Sequence, residues 1–321
     1  MLGVFSTTGV VFMLIGLGYA AVFKGMFTPA DLRILGRYIV NLALPALVFR
    51  AVTGPDLGEI LEFGYLFPYA VGSLLAFGAA YALGRVVLQL PSLTATFQAM
   101  GSSCSNSGFI GYPIMLMVLP PVAPAVVALS MTVENLVMIP IVLILAERAR
   151  GEGVRGWALA ARIFGRLLLG NPIVLALIVG LVVALSGLEL PALVSRPIGL
   201  IADSSAAVSL IVIGGTLVGL PLGAVDRGVI SVVAGKLIGF PLAVAFAFLV
   251  FGAVGLGPGN PDLARAAILN AAMPAAGIYP ILAQRYGEEA RAALAMLVMT
   301  VLSFFTMSAV MLILGLGVPA A

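Results

Sequence analysis

Runs of eighteen or more residues with almost no charge recur from one end of this 321-residue chain to the other. Val4–Phe23 holds no Asp, Glu, Lys or Arg at all, and a helix of that length crosses a hydrocarbon core of about 30 Å. Backbone N–H and C=O groups find no water in lipid, so only helices and closed barrels can span it. Barrel strands alternate apolar and polar positions, and these runs do not. They read as transmembrane helices. Charged residues make up 9% of the chain, against about 25% in soluble domains, too few to cover a water-facing surface.

The expected fold is all-α integral membrane, with ten spans at 4–23, 34–52, 65–88, 93–119, 122–145, 171–188, 193–218, 229–253, 262–284 and 292–316. No basic residue precedes Val4, where a secretory signal would carry positive charge, so the first run is expected to be a retained helix. The stretch 146–170 differs in composition, with Glu147, Arg148, Arg150, Glu152, Arg155, Arg162 and Arg166. It reads as a solvated cytoplasmic linker between a first unit, 1–145, and a second, 171–321.

Orientation follows from the basic residues, which favour the cytoplasmic connections. With residue 1 outside, thirteen of the sixteen Lys and Arg residues fall inside: Lys24, Arg33, Arg37, Arg85, Arg148, Arg150, Arg155, Arg162, Arg166, Arg227, Lys236, Arg285 and Arg291. Arg50, Arg196 and Arg265 fall outside, with Asp56, Glu59, Glu62, Glu189 and Asp262. Both termini are therefore expected on the exterior or periplasmic side of a cell (inner) membrane. The basic residues are spread through short connections rather than gathered on a patch, so membrane lipid is an expected partner and nucleic acid is not.

Tyr112-Pro113-Ile114-Met115 in the fourth span is matched 167 residues later by Tyr279-Pro280-Ile281-Leu282 in the ninth. The same offset carries the second and third spans onto the seventh and eighth. Two units of five spans, an odd number, must enter the bilayer from opposite sides, which is the inverted-topology repeat of many secondary transporters.

Polar residues inside apolar runs carry most of the functional information, because each is costly in hydrocarbon. The fourth span contains Gly101-Ser102-Ser103-Cys104-Ser105-Asn106-Ser107-Gly108-Phe109-Ile110-Gly111-Tyr112-Pro113. Its glycines and proline predict an interrupted helix. Asn270, Pro274, Gly277 and Pro280 repeat the theme in the ninth span. Paired interruptions in two halves point to a transporter binding site, where bare N–H groups and a helix N-terminus suit an anion. The bland alternative is a pair of packing kinks. Asn106, Ser105, Ser107, Pro113, Asn270 and Pro274 are the candidate substrate residues, with Asn41 beside the Pro45 bend of the second span.

Glu134 lies mid-way along the fifth span, where an acidic group costs about 2.5–3.5 kcal/mol on insertion scales. It is expected either to take a coupling proton or to ligate Na⁺, with Asn135, Ser130 and Thr132 as neighbours; a structural carboxyl is the alternative. Lys236 reads first as a lysine that snorkels to the interface. Asp203 stands between scaffold contact and substrate vestibule. The absence of histidine and the single cysteine, Cys104, remove histidine-based catalysis and internal disulfides. No nucleophile and base are suitably spaced, so an enzyme is not expected.

Four motifs together, Asn41-Leu42-Ala43-Leu44-Pro45-Ala46-Leu47-Val48-Phe49, Asn106-Ser107-Gly108-Phe109-Ile110-Gly111-Tyr112-Pro113, Lys236-Leu237-Ile238-Gly239-Phe240-Pro241-Leu242 and Asn270-Ala271-Ala272-Met273-Pro274-Ala275-Ala276, resemble the auxin efflux carrier family in its bacterial PIN-like form. The resemblance covers the whole chain in order. It implies a five-plus-five inverted repeat in which broken helices 4 and 9 cross. Helices 1, 2, 6 and 7 would form a scaffold, and helices 3–5 and 8–10 a transport domain. It further implies a homodimer joined through the scaffold, elevator-type alternating access, and small organic anions such as indole-3-acetate, malate or malonate as substrates. Pro113 and Pro274 would be the crossing prolines and Asn106 would stand beside the substrate.

Plant members carry an acidic–basic pair in helix 3, whereas the third span here has only Arg85. The Ser/Asn cluster and the hydroxyls of the fifth span also resemble the sodium sites of bile acid symporters, with Na⁺ at Ser105, Asn106, Thr132 and Glu134. Proton and sodium coupling both remain open, and no other cofactor is expected. A channel or a membrane sensor with a transporter-like body is the competing class.

Overall fold

The structure, a computed structural model, describes residues 2–53, 62–150, 165, 170–188, 190–219 and 225–316, with the backbone alone for residues 2–8. Most of the charged 146–170 stretch, and Asp56, Glu59 and Glu189, lie outside the described residues. Among the described residues the secondary structure is helical throughout, with one isolated antiparallel bridge between Ser105 and Ala275.

Among the described residues, twelve helical elements follow one another. They are α1 (Leu2–Phe23), α2 (Pro29–Val52), α3 (Phe63–Val87), α4 (Ser92–Ser103), α5 (Ser107–Val118) and α6 (Ala123–Ala149). After these come α7 (Pro172–Leu185), α8 (Ala192–Thr216), α9 (Arg227–Ala253), α10 (Pro261–Ala271), α11 (Ile278–Gln284) and α12 (Glu289–Ile313). Six of them, α2, α3, α6, α8, α9 and α12, are long and apolar enough to cross a membrane, and Gly9–Phe23, Ser107–Val118 and Pro172–Leu185 are shorter apolar helices. Helix starts follow local chemistry. α2 begins earlier than the pattern predicts because Thr28 and Asp31 form a capping box before Pro29, which satisfies orphan N–H groups of the first turn. Asn171-Pro172 and Asn260-Pro261 open α7 and α10 with the same cap-then-proline device.

The outer surface is apolar: Met13 is 65% exposed, Leu193 87% and Ile313 82%. Leucines and isoleucines at that exposure on so many helices suit lipid, not water. Inside, small residues let backbones touch, the packing mode of membrane helices. α1 lies on α8 where Gly18 meets the Ile211 carbonyl and Gly214 meets the Ile15 carbonyl. α7 lies on α2 through Gly180 against Val52, and α3 on α9 through Gly72 against Val244.

Proline shapes four helices in one way. A π turn at Ile39–Ala43, Ser107–Gly111, Glu134–Met138 and Gly235–Gly239 ends two residues before Pro45, Pro113, Pro140 and Pro241. Proline has no N–H for the carbonyl four residues back and crowds it. Widening the preceding turn relieves that crowding, and the residue before each proline bonds one position further back. Asn41, Ser107, Glu134 and Lys236 all sit in these widened turns.

Candidate functional site

Two interruptions meet at the centre of the fold. α4 stops at Ser103, Cys104 turns extended, and the helix resumes as α5 at Ser107. α10 stops at Ala271 and α11 starts at Ile278. The two unwound segments bond to each other: Asn106 N–H donates to the Pro274 carbonyl (2.9 Å), and Ala276 N–H donates to the Cys104 carbonyl (3.1 Å). Groups freed from helical bonding thus satisfy one another, as backbone at membrane depth must. The predicted interruption is present, but it precedes Gly108, Gly111 and Pro113, which fall in the π turn and first α-turn of the resumed helix.

Polar side chains gather on this junction. Glu134 Oε1 accepts from Ser107 Oγ (2.8 Å), Ser105 N–H (3.2 Å) and Tyr69 OH (3.4 Å). Asn270 Nδ2 lies within 3.0 Å of the hydroxyls of Ser107, Ser130 and Tyr69. Tyr65 OH and Ser130 Oγ are 2.7 Å apart, and Ser105 Oγ donates to the Asn270 carbonyl at 2.7 Å. Placing Glu134 beside the N-terminus of α5 sets a carboxylate at the positive end of a helix. The buried acid is therefore held by three donors rather than left bare.

Lys236 corrects the sequence reading. It is 0% exposed and does not snorkel. Its ammonium donates to the Ala271 carbonyl (2.6 Å) and Ser105 Oγ (3.0 Å), and stands 4.6 Å from the centre of the Phe240 ring. A cation thus caps the negative C-terminal end of α10, with a cation–π contact beneath it. One of the thirteen residues assigned to the inner connections belongs to the interior instead.

Of the expected site residues, Ser105, Ser107, Ser130, Glu134 and Asn270 come together, and Asn106 and Pro274 form the backbone link between the interruptions. Pro113 is buried one turn into α5. Asn106 Oδ1 accepts from Phe109 N–H at 3.2 Å, while its buried Nδ2 has no hydrogen-bond partner. Three residues lie apart from the cluster. Asn41 is exposed and bonds the Arg37 carbonyl. The Thr132 hydroxyl bonds the Ala128 carbonyl of its own helix. Asn135 bonds the Met131 carbonyl and receives Asn171 Nδ2. Tyr65 and Tyr69 were missed, since a tyrosine in an apolar run usually reads as core or interfacial belt. Their four-residue spacing, on one face of α3, was the available signal.

Arg50, near the end of α2, donates to Asp203 of α8 (2.8 Å), to the Gly199 carbonyl (3.3 Å) and to Tyr112 OH of α5 (3.4 Å). Two apolar grooves, one lined by Phe12, Tyr19, Thr300 and Phe304 and the other by Ile230, Leu237, Leu302 and Phe305, include no residue of the polar cluster.

A chain whose described residues are helical, with several membrane-length apolar helices and two helices broken and joined inside, is a multi-pass membrane protein. Its sequence matches the family model described as "Membrane transport protein" over residues 4–312, so the chain belongs to that family, the auxin efflux carriers that its motifs resemble. It is similar to a protein of Rhizobium meliloti (strain 1021) named "Putative malonate transporter", with 26% identity over 284 residues, 88% of this chain and 87% of the relative. Family membership makes the protein a transporter and not an enzyme.

Proposed function

We propose that the protein is a secondary active carrier of a small organic anion, a malonate-like carboxylate being the first candidate, working by elevator-type alternating access. The observation that carries this reading is the junction itself: two interrupted helices joined by backbone bonds, with the unpartnered, buried Asn106 amide at the N-terminus of α5. A bare amide N–H beside a positive helix end is the chemistry that receives a carboxylate. The name of the rhizobial relative supports the substrate class.

Helix pairing supports the five-plus-five inverted repeat. Taking α4–α5 and α10–α11 as the broken fourth and ninth helices, α1 on α8 pairs the first with the seventh. α7 on α2 pairs the sixth with the second. These two contacts exchange under a two-fold relation, while α3 on α9 and the two interruptions map onto themselves. In this reading α1, α2, α7 and α8 form the scaffold and the dimer interface, and α3–α6 with α9–α12 form the transport domain. The carrier sits in the cell membrane with both termini outside.

Coupling to protons is favoured over sodium. Of the four named Na⁺ ligands, the Ser105 hydroxyl already bonds the Asn270 carbonyl and the Lys236 ammonium, and Thr132 is spent on its own helix, so Lys236 itself supplies the cation beside Ser105. A bile-acid-symporter-like sodium carrier is the second reading, kept for the dense hydroxyl set around Asn270. Reconstituted protein should accumulate malonate or a related carboxylate under a pH gradient without Na⁺, and Glu134→Gln should abolish the pH dependence. Uptake that requires Na⁺ would favour the sodium reading, and downhill flux at channel rates would remove the carrier.

A further inference from the structure

We propose that Arg50 is the specificity residue that reads a second carboxylate, so that the carrier prefers dicarboxylates, with Asp203 as its internal stand-in. The inference rests on the organic-anion reading above. Arg50 of α2 is joined to two other helices at once: Asp203 and the Gly199 carbonyl on α8, and Tyr112 on α5, one residue past Gly111 of the interrupted helix. Leu44 of α2 packs against Gly108, just after the break, and Arg50 follows six residues further along the same helix. The guanidinium therefore stands on the scaffold side, beside the helix that carries Asn106.

A guanidinium presents a planar fork that matches a carboxylate through two parallel bonds. In Arg50 that fork is only partly used. Nη1 holds one oxygen of Asp203 and the Gly199 carbonyl, and Nη2 makes a single long contact with a phenol. The Arg50 and Asp203 side chains are 35% and 65% exposed, so water screens the pair and its opening costs little. Lys236, the cation at the junction, is sealed and committed to Ala271 and Ser105. An anion with one carboxylate at Asn106 and a second to place finds Arg50, whose Asp203 it can displace. A monocarboxylate gains nothing from that exchange.

Thermal-shift titrations of the purified full chain with malonate, succinate, acetate and propionate test this, because ligand binding raises apparent stability by mass action. The intact protein should bind the two dicarboxylates more tightly than the monocarboxylates. Arg50→Gln should weaken malonate and succinate about tenfold or more, the range of a charge-assisted hydrogen bond, and leave acetate and propionate unchanged. Arg50→Lys should fall between, and Asp203→Asn should bind malonate as tightly as the intact protein or tighter. An unchanged dicarboxylate preference in Arg50→Gln overturns the proposal. So does an equal weakening of all four anions in Arg50→Gln and Asp203→Asn, since the pair would then be a strut. No response of the intact protein to any carboxylate fails the organic-anion reading itself, and this proposal with it.

Discussion

Lys236 and Glu134 are tied to one residue, Ser105, through different atoms: the lysine ammonium donates to its hydroxyl at 3.0 Å, and its amide N–H donates to the glutamate at 3.2 Å. Each ion also answers a helix end, Lys236 the C-terminus of α10 and Glu134 the N-terminus of α5. Breaking two helices inside a membrane exposes four dipole ends, two of each sign. Lys236 and Glu134 answer one of each sign.

Lys236→Met should therefore cost stability on the order of 3–5 kcal/mol, as removal of one member of a buried charged network does. The Ala271 carbonyl loses its ammonium and Glu134 its nearby cation. Lys236→Met combined with Glu134→Gln should recover part of the loss. Thermal unfolding of the purified variants measures both, and a Lys236→Met protein that unfolds at the original temperature would show that the ammonium balances nothing.

Gly111 keeps the two interruptions close. A Cβ there would lie 2.7 Å from Asn270 Oδ1 and 3.3 Å from the Asn106 carbonyl. Asn270 cannot swing aside cheaply, because its Nδ2 is held among three hydroxyls. Gly111→Ala should lower stability by about 1–3 kcal/mol, the range for overpacking, and reduce transport strongly. Gly277→Ala, which meets nothing within 4 Å, is the matched control on the other interruption. Equal behaviour of the two variants in uptake and unfolding would contradict the close approach.

The membrane class, the run positions and the two interruptions were legible because hydrocarbon enforces them: apolar length and helix-breaking residues are one-dimensional signals. Glu134 and Asn270 stood out for the same reason, as polar groups where polarity is costly. Lys236 was misread because sequence position alone cannot separate an interfacial lysine from one that caps a carbonyl across the fold. The Arg50–Asp203–Tyr112 contact joins residues up to 153 apart, and no local pattern announces such a meeting. Asn41 stands apart from the cluster for a reason equally hidden in one dimension. It lies in a proline-bent helix, as Glu134 and Lys236 do, but on a face that points outward.

The α1–α8 contact offers a test away from the polar cluster. A Cβ on Gly214 would land on the Ile15 carbonyl, so the helices must separate to admit even a methyl group. Backbone atoms cannot rotate away as a flexible side chain can. Gly214→Ala should destabilise the protein by about 1–3 kcal/mol, while Gly16→Ala, on the same pair of helices but meeting nothing within 4 Å, should be close to neutral. Unfolding temperatures that do not separate the two would place α1 and α8 further apart than the structure has them.

Pro140 tests whether the widened turns serve the site. It ends the π turn Glu134–Met138 by withholding the N–H that would close an ordinary bond to the Leu136 carbonyl. Pro140→Ala restores that donor. If the turn then tightens to α-helical pitch, the residues before it rotate by about 100°, one residue's worth of helical twist. Glu134 would swing away from Ser105, Ser107 and Tyr69. Stability should hold or rise, because a proline has left a helix interior, while transport should fall about tenfold or more, since a binding constellation tolerates roughly 0.5 Å of displacement. Pro68, buried in α3 with no π turn before it, is the control, and Pro68→Ala should leave transport near its original rate. Loss of activity with stability preserved separates a positioning role from a folding one. A Pro140→Ala carrier that transports normally would mean that Glu134 holds its place without the widened turn.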